Sequence, residues 1–150
     1  MVLRTAWRIH KFFWLPHEEK KLLLRAAAVV SSIRIALWLI PFRSLQSMVS
    51  QGARRRPSAS IDRAAPPAIC QAIETVSRFI PAATCLTQAL AAQLLLKREG
   101  IPGTLHIGVA VGEDNLKAHA WLEAEGKILI GIRGTQHFAT LASLRSLGDD

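Results

Sequence analysis

The spacing of apolar residues changes once along this chain, at Gly100, and that change limits the fold more than any other feature. Before it, apolar side chains recur every three or four residues, the period of helices with one buried face. After it come three short runs rich in Ile, Val and Leu, at residues 104–112, 117–123 and 127–133. Turn-forming residues at 112–115 and 124–126 separate them. Runs of this length between such breaks form strands. Helices followed by an antiparallel sheet make the class α+β. The tail after Thr135 suits one more strand or a short helix.

Prolines punctuate the helical part. Residues 2–13, apolar at 2, 3, 6, 9 and 13, suit a short amphipathic helix. Pro16 opens a second helix that runs to about Ile40, before Pro41. Glu18 and Glu19 fall in its first turn, where negative charge meets the helix dipole favourably. Its wet stripe is Glu18, Lys21, Arg25 and Ser32, and the rest is apolar. Residues 51–60, with Gly52, Arg54, Arg55, Arg56 and Pro57, read as a polar linker. Pro66 and Pro67 start a third helix with Ile69, Ile73, Val76 and Ile80 on its buried face, and Pro81 stops it. A fourth begins near Thr84 or Cys85 and ends at Gly100, after Lys97 and Arg98. This divides the chain into a helical N-terminal region, 1–60, and a core, 61–150.

Charge follows the same division. Residues 1–60 hold eleven basic and two acidic side chains, residues 61–150 eight and nine. Half of all residues are hydrophobic (50%), which excludes a disordered chain. The basic residues are not interleaved with aromatics and Tyr is absent, which speaks against a nucleic-acid role. Arg25 and Arg34 break the apolar stretch 22–42 into uncharged runs of eight, far short of the roughly 20 residues a spanning helix needs. It therefore reads as a core helix of a cytoplasmic protein. Contact of the basic, Trp-bearing front half with acidic lipid is the lesser reading. Two cysteines, Cys70 and Cys85, make no disulfide framework. No CxxC or HxxxH spacing and no phosphate-binding glycine loop occurs, so no metal or cofactor is expected.

Cys85 opens the fourth helix. Unpaired amides at a helix start favour a thiolate, and they can also donate to the oxyanion formed when that thiolate attacks a carbonyl. His119 lies in Ala118-His119-Ala120-Trp121-Leu122-Glu123, where alternation puts His119, Trp121 and Glu123 on one face. A cysteine on a helix start with a histidine on a strand is the minimal acyl-transfer pair. His10, His17, His106 and His137 have no comparable setting. Cys70, mid-helix on the flank of an apolar face, reads as structural.

Several segments together resemble the leader peptidase of lasso-peptide biosynthesis. They are Pro81-x-x-x-Cys85-Leu86-x-x-Ala89-Leu90, Leu94-Leu95, Gly100-Ile101-Pro102, Ile107-Gly108-Val109 and Ala118-His119-Ala120-Trp121-x-Glu123-x-x-Gly126. Pro41-Phe42-Arg43 is a fainter echo. That peptidase belongs to the transglutaminase-like, papain-like cysteine enzymes. The resemblance implies cleavage of one peptide bond in a ribosomally made precursor, with Cys85 as nucleophile and His119 as general base. It also implies two partners: a separate leader-recognition protein, because residues 1–60 look helical rather than winged-helix, and an ATP-dependent lasso macrocyclase that cyclises the freed core.

The resemblance expects a third residue, an Asp, on the next strand. With residues 124–126 as a three-residue turn, Glu123 pairs with Lys127 and His119 falls opposite Gly131, where the Asp is expected. Glu123 lies about 13 Å from His119 along the strand, too far to orient it. Asp114, Gln136 or a backbone carbonyl remain as candidates. An acyl-transferring transglutaminase-like enzyme and a catalytically inactive precursor-binding scaffold are the alternative readings.

Overall fold

A computed structural model describes residues 16–51, 65–111, 116–131 and 139–145. The expected helix at 2–13 and all of the expected 51–60 linker except Gln51, which ends a helix, lie outside these residues.

Helix α1, His17–Leu39, buries Ala26, Val29, Val30 and Ile33, one stripe at helical spacing. Ile40 is extended (φ −130°, ψ 147°), as a residue ahead of proline must be. Helix α2, Phe42–Gln51, restarts beyond Pro41, whose carbonyl accepts from the amides of Ser44 and Leu45. Leu45 and Val49 point into the core. Helix α3, Pro66–Ser77, begins at its two prolines and buries Ile69, Ile73 and Val76 as the periodicity predicts, but it ends short of Pro81 and leaves Ile80, expected on its buried face, half-buried in the following turn. Helix α4, Cys85–Arg98, ends one residue before the Glu99-Gly100 turn, closed by the Ile101 amide on the Leu96 carbonyl.

The sheet has four strands in the order β3-β2-β1-β4, each antiparallel to its neighbour. They are β1 (Thr104–Val111), β2 (Leu116–Ala124), β3 (Lys127–Ile130) and β4 (Ala139–Arg145). The tail is thus a strand, paired with β1. The α+β class holds, and helices α1, α3 and α4 and the inner sheet face share one core. Leu105, Ala120, Leu122 and Ile130 supply the sheet's side of it, and Leu90, Leu96 and the alanines of α4 face them.

Two expectations change. The β2–β3 turn has two residues, not three. Glu125 (φ +52°) and Gly126 (φ +72°) both adopt the left-handed conformation that a tight hairpin needs. Ala124 therefore pairs with Lys127 and Glu123 with Ile128, and an irregularity follows that brings Leu122 opposite Ile130. Gly131 then comes against Trp121 rather than directly opposite His119. Second, α1 is a core helix on one face only. It is long and apolar enough to cross a membrane, only 22% of its apolar window is buried, and Leu24, Ile35, Trp38 and Leu39 are exposed.

A buried polar link ties the layers together. Gln93 on α4 is fully buried; its amide nitrogen donates to the Gly103 carbonyl (3.2 Å) and its oxygen accepts from Gln46 on α2 (3.4 Å). Lys97 donates to the Ser50 carbonyl beside it. Such groups are costly to bury unless bonded, so this link fixes α2 and the start of β1 against α4.

Candidate active site

Cys85 is the first residue of α4, half-buried against the core. The chain reaches it through a tight turn. Ala82 sits at φ +56°, a conformation that costs an L-residue about 1–2 kcal/mol. The Ala83 amide donates to the Ile80 carbonyl (3.3 Å) and the Thr84 amide to the Ala82 carbonyl (2.9 Å). Thr84 is extended (ψ 171°), and no side chain caps the helix. Its hydroxyl lies 3.3 Å from that of Thr87, while the Gln88 amide reaches back to the Ala83 carbonyl (3.3 Å). The first turn thus presents amides without a side-chain cap next to the thiol. Such a helix start stabilises negative charge.

Cys70 is a different thiol. It is buried on α3, and burial first, then the carboxylate of Glu74, push it from 9.0 up to about 11. It is protonated at neutral pH. Both cysteines are free.

His119 is half-buried on β2, the strand on which α4 packs most closely. Its Nε2 is bonded to the Gly131 carbonyl. A carbonyl only accepts, so Nε2 carries the hydrogen and the lone pair resides on Nδ1. The backbone carbonyl at residue 131 thus helps to orient the imidazole.

Glycine is obligatory at that place. Its φ is +111°, and a Cβ built there would lie 2.5 Å from the Ala120 carbonyl oxygen and 2.7 Å from the Trp121 Cα. No aspartate fits on this backbone. Because Gly131 lies against Trp121, it is not the position opposite His119 where the resemblance expects an acid; the close approach that bars a side chain here also brings its carbonyl to His119. Asp114 and Gln136 lie outside the described residues.

Glu123 has another partner. Its carboxylate lies 3.3 Å from Nε2 of His106 on β1, and that imidazole stacks on Trp121 with centroids 5.3 Å apart and planes at 14°. Sequence reasoning missed this cluster. The signal was the antiparallel register, which pairs His106 with Trp121 and so places Glu123 diagonally across. These contacts also locate the faces of β2: Ala120 and Leu122 face the core with α4, and Trp121, Glu123 and His119 face the other way.

Among the described residues no group of His, Cys, Asp or Glu has the arrangement to hold a metal ion. The chemistry in reach is that of one uncapped helix start, one half-buried thiol and one backbone-oriented imidazole.

No curated protein and no solved structure matches the chain. A family profile, that of the transglutaminase-like superfamily, matches residues 27–143. The match takes in most of α1, the other helices and the sheet through most of β4, with Cys85 and His119 inside it. Spanning well over half the chain, it shows that the protein belongs to the transglutaminase-like superfamily, which includes cysteine peptidases and acyl-transferases.

Proposed function

We propose that this protein is a cytoplasmic cysteine peptidase that removes the leader from a ribosomally made lasso-peptide precursor. A separate recognition protein delivers the leader, and an ATP-dependent macrocyclase takes the freed core. The observations that support the chemistry are an uncapped helix start at Cys85 and, on the strand against which α4 packs, an imidazole whose Nε2 is held by the Gly131 carbonyl. The leader specificity rests on the sequence resemblance alone.

In this reading Nδ1 of His119 takes the proton of Cys85, and the sulfur attacks the scissile carbonyl. The first-turn amides of α4 stabilise the oxyanion. The imidazolium returns its proton to the leaving amine, giving the free core peptide and a thioester with the leader. Water, deprotonated by the same nitrogen, hydrolyses the thioester and regenerates the thiol. The mechanism requires His119 and Cys85 to come together, although the alternation of β2 turns the imidazole away from the face packed on α4.

The test is mass spectrometry of the precursor incubated with the chain, with and without the recognition protein. Cleavage yields leader and core whose summed mass exceeds the precursor by one water. Membership of a transglutaminase-like superfamily favours one competing outcome, an amide between the acyl part and an added amine. That product, or an unchanged precursor in the presence of the partner, would overturn the peptidase reading.

A further inference from the structure

Helix α1 carries a second apolar stripe that the fold does not use. Leu24, Ala28, Ile35 and Leu39 lie at i, i+4, i+11 and i+15, on the side away from Ala26, Val30 and Ile33. Trp38 extends the stripe and is 82% exposed, with Leu39 at 70% and Leu24 at 62%. A soluble helix normally shows polar residues on its outer side. Here Lys21, Arg25 and Ser32 line one edge of the stripe and Lys20 and Arg34 the other.

Charge identifies the occupant. Glu18 and Glu19 are the last acidic residues before Asp62; from Lys20 to Ile61 the sequence holds eight basic side chains and no acidic one. Glu18 is itself paired with Lys21 at 2.8 Å. An exposed Leu, Ile and Trp stripe with a cationic border matches the surface of an anionic bilayer, whose headgroups attract Lys and Arg while the acyl boundary takes the apolar side chains. Tryptophan at the end of the stripe suits the headgroup level.

We infer that α1 docks this protein onto anionic lipid surfaces, lying flat with its Leu24–Leu39 stripe in the interface. A spanning orientation is excluded by the opposite face: Ala26, Val29, Val30 and Ile33 pack against α3 and α4, and crossing the bilayer would strip them from the core. The surface is remote in sequence from Cys85 and His119, and the inference stands without the peptidase reading.

Co-sedimentation of the full chain with vesicles tests it, using phosphatidylcholine alone and phosphatidylcholine with one-quarter phosphatidylglycerol. The wild type should pellet with the anionic vesicles only, with a blue shift in Trp emission and release by high salt. Trp38→Ser/Leu39→Ser should weaken binding by about tenfold or more, the effect of losing two large apolar contacts. Its urea midpoint should stay put, since both side chains are exposed. Arg25→Glu should weaken binding at low salt. The inference is overturned if the wild type stays in the supernatant, or if the double variant binds as well as wild type. It is equally overturned if the bound protein resists alkaline carbonate, which marks a spanning helix. A dimer in ultracentrifugation that Trp38→Ser/Leu39→Ser makes monomeric would assign the stripe to a second copy instead.

Discussion

Replacing Gly131 by alanine exchanges one hydrogen for a methyl group where a Cβ meets backbone atoms closer than at Gly103 or Gly126. Two costs combine. At φ +111° a residue with a Cβ is strained by about 1–3 kcal/mol. The new Cβ would also meet the Ala120 carbonyl oxygen at 2.5 Å and Trp121 at 2.7 and 2.8 Å, against backbone that cannot rotate away. Overpacking of this kind costs about 1–3 kcal/mol more. The expected loss is roughly 4 kcal/mol, a large share of the 5–15 kcal/mol that typically holds a domain together. With a urea slope of about 2 kcal/mol/M, the unfolding midpoint should fall by about 2 M. Gly126→Ala is the control. It shares the positive φ (+72°) but has nothing within 4 Å of its Cβ, so it should lose only about 1–2 kcal/mol. If the two variants unfold at the same midpoint, the close approach at residue 131 is not real, and the account of how His119 is oriented goes with it. Gly131→Asp should be no better than Gly131→Ala, in stability or in leader cleavage.

Cys85→Ala and His119→Ala should each abolish leader removal, by at least about a thousandfold, while leaving circular dichroism and the urea midpoint near wild type. Iodoacetamide at pH 7 should label the native protein at Cys85 alone, and label it more slowly in His119→Ala; equal labelling of Cys70, or no effect of His119, would refute the pairing. Because burial raises the Cys70 thiol from 9.0 to about 11, the folded state holds that proton more tightly than the unfolded state. The stability it contributes is therefore complete below pH 9 and is lost as pH rises toward 11, a component that Cys70→Ala should lack in pH-dependent urea melts. Gln93→Leu should cost about 1–3 kcal/mol by leaving the Gly103 carbonyl and Gln46 amide without their partner.

Much of this architecture was readable from residue pattern because local rules and tertiary demands agree. Pro16, Pro41, Pro66 and Pro67 fix helix starts and breaks whatever surrounds them. Cys85 at a helix start followed from Pro81 and the apolar run behind it. The misplaced register had a physical cause: Ala124 has no signature to say whether it belongs to strand or turn, and the irregularity after Glu123 shifts every later partner by one. The outer stripe of α1 was hidden for a related reason. Apolar residues all around a helix imply burial, and the sequence does not say that the core has partners for only one side.

The contact between the Gly131 carbonyl and His119 shows why a site must be read from backbone as well as side chains. A carboxylate on β3 would orient His119 with a full charge and would need space for itself. At Gly131, just beyond β3, the missing side chain lets the backbone close on Trp121 and brings its carbonyl oxygen to Nε2. The carbonyl selects the same tautomer but carries only a dipole, so it stabilises the imidazolium less than a carboxylate would. A cysteine nucleophile tolerates that better than a serine, because its proton is more easily lost and the thiolate itself faces the imidazolium. Cys85→Ser tests this reasoning. If the Gly131 carbonyl is the main support of the imidazole, the serine variant should keep no measurable leader cleavage even where substrate binding is intact; appreciable activity would show that a stronger acid supports His119.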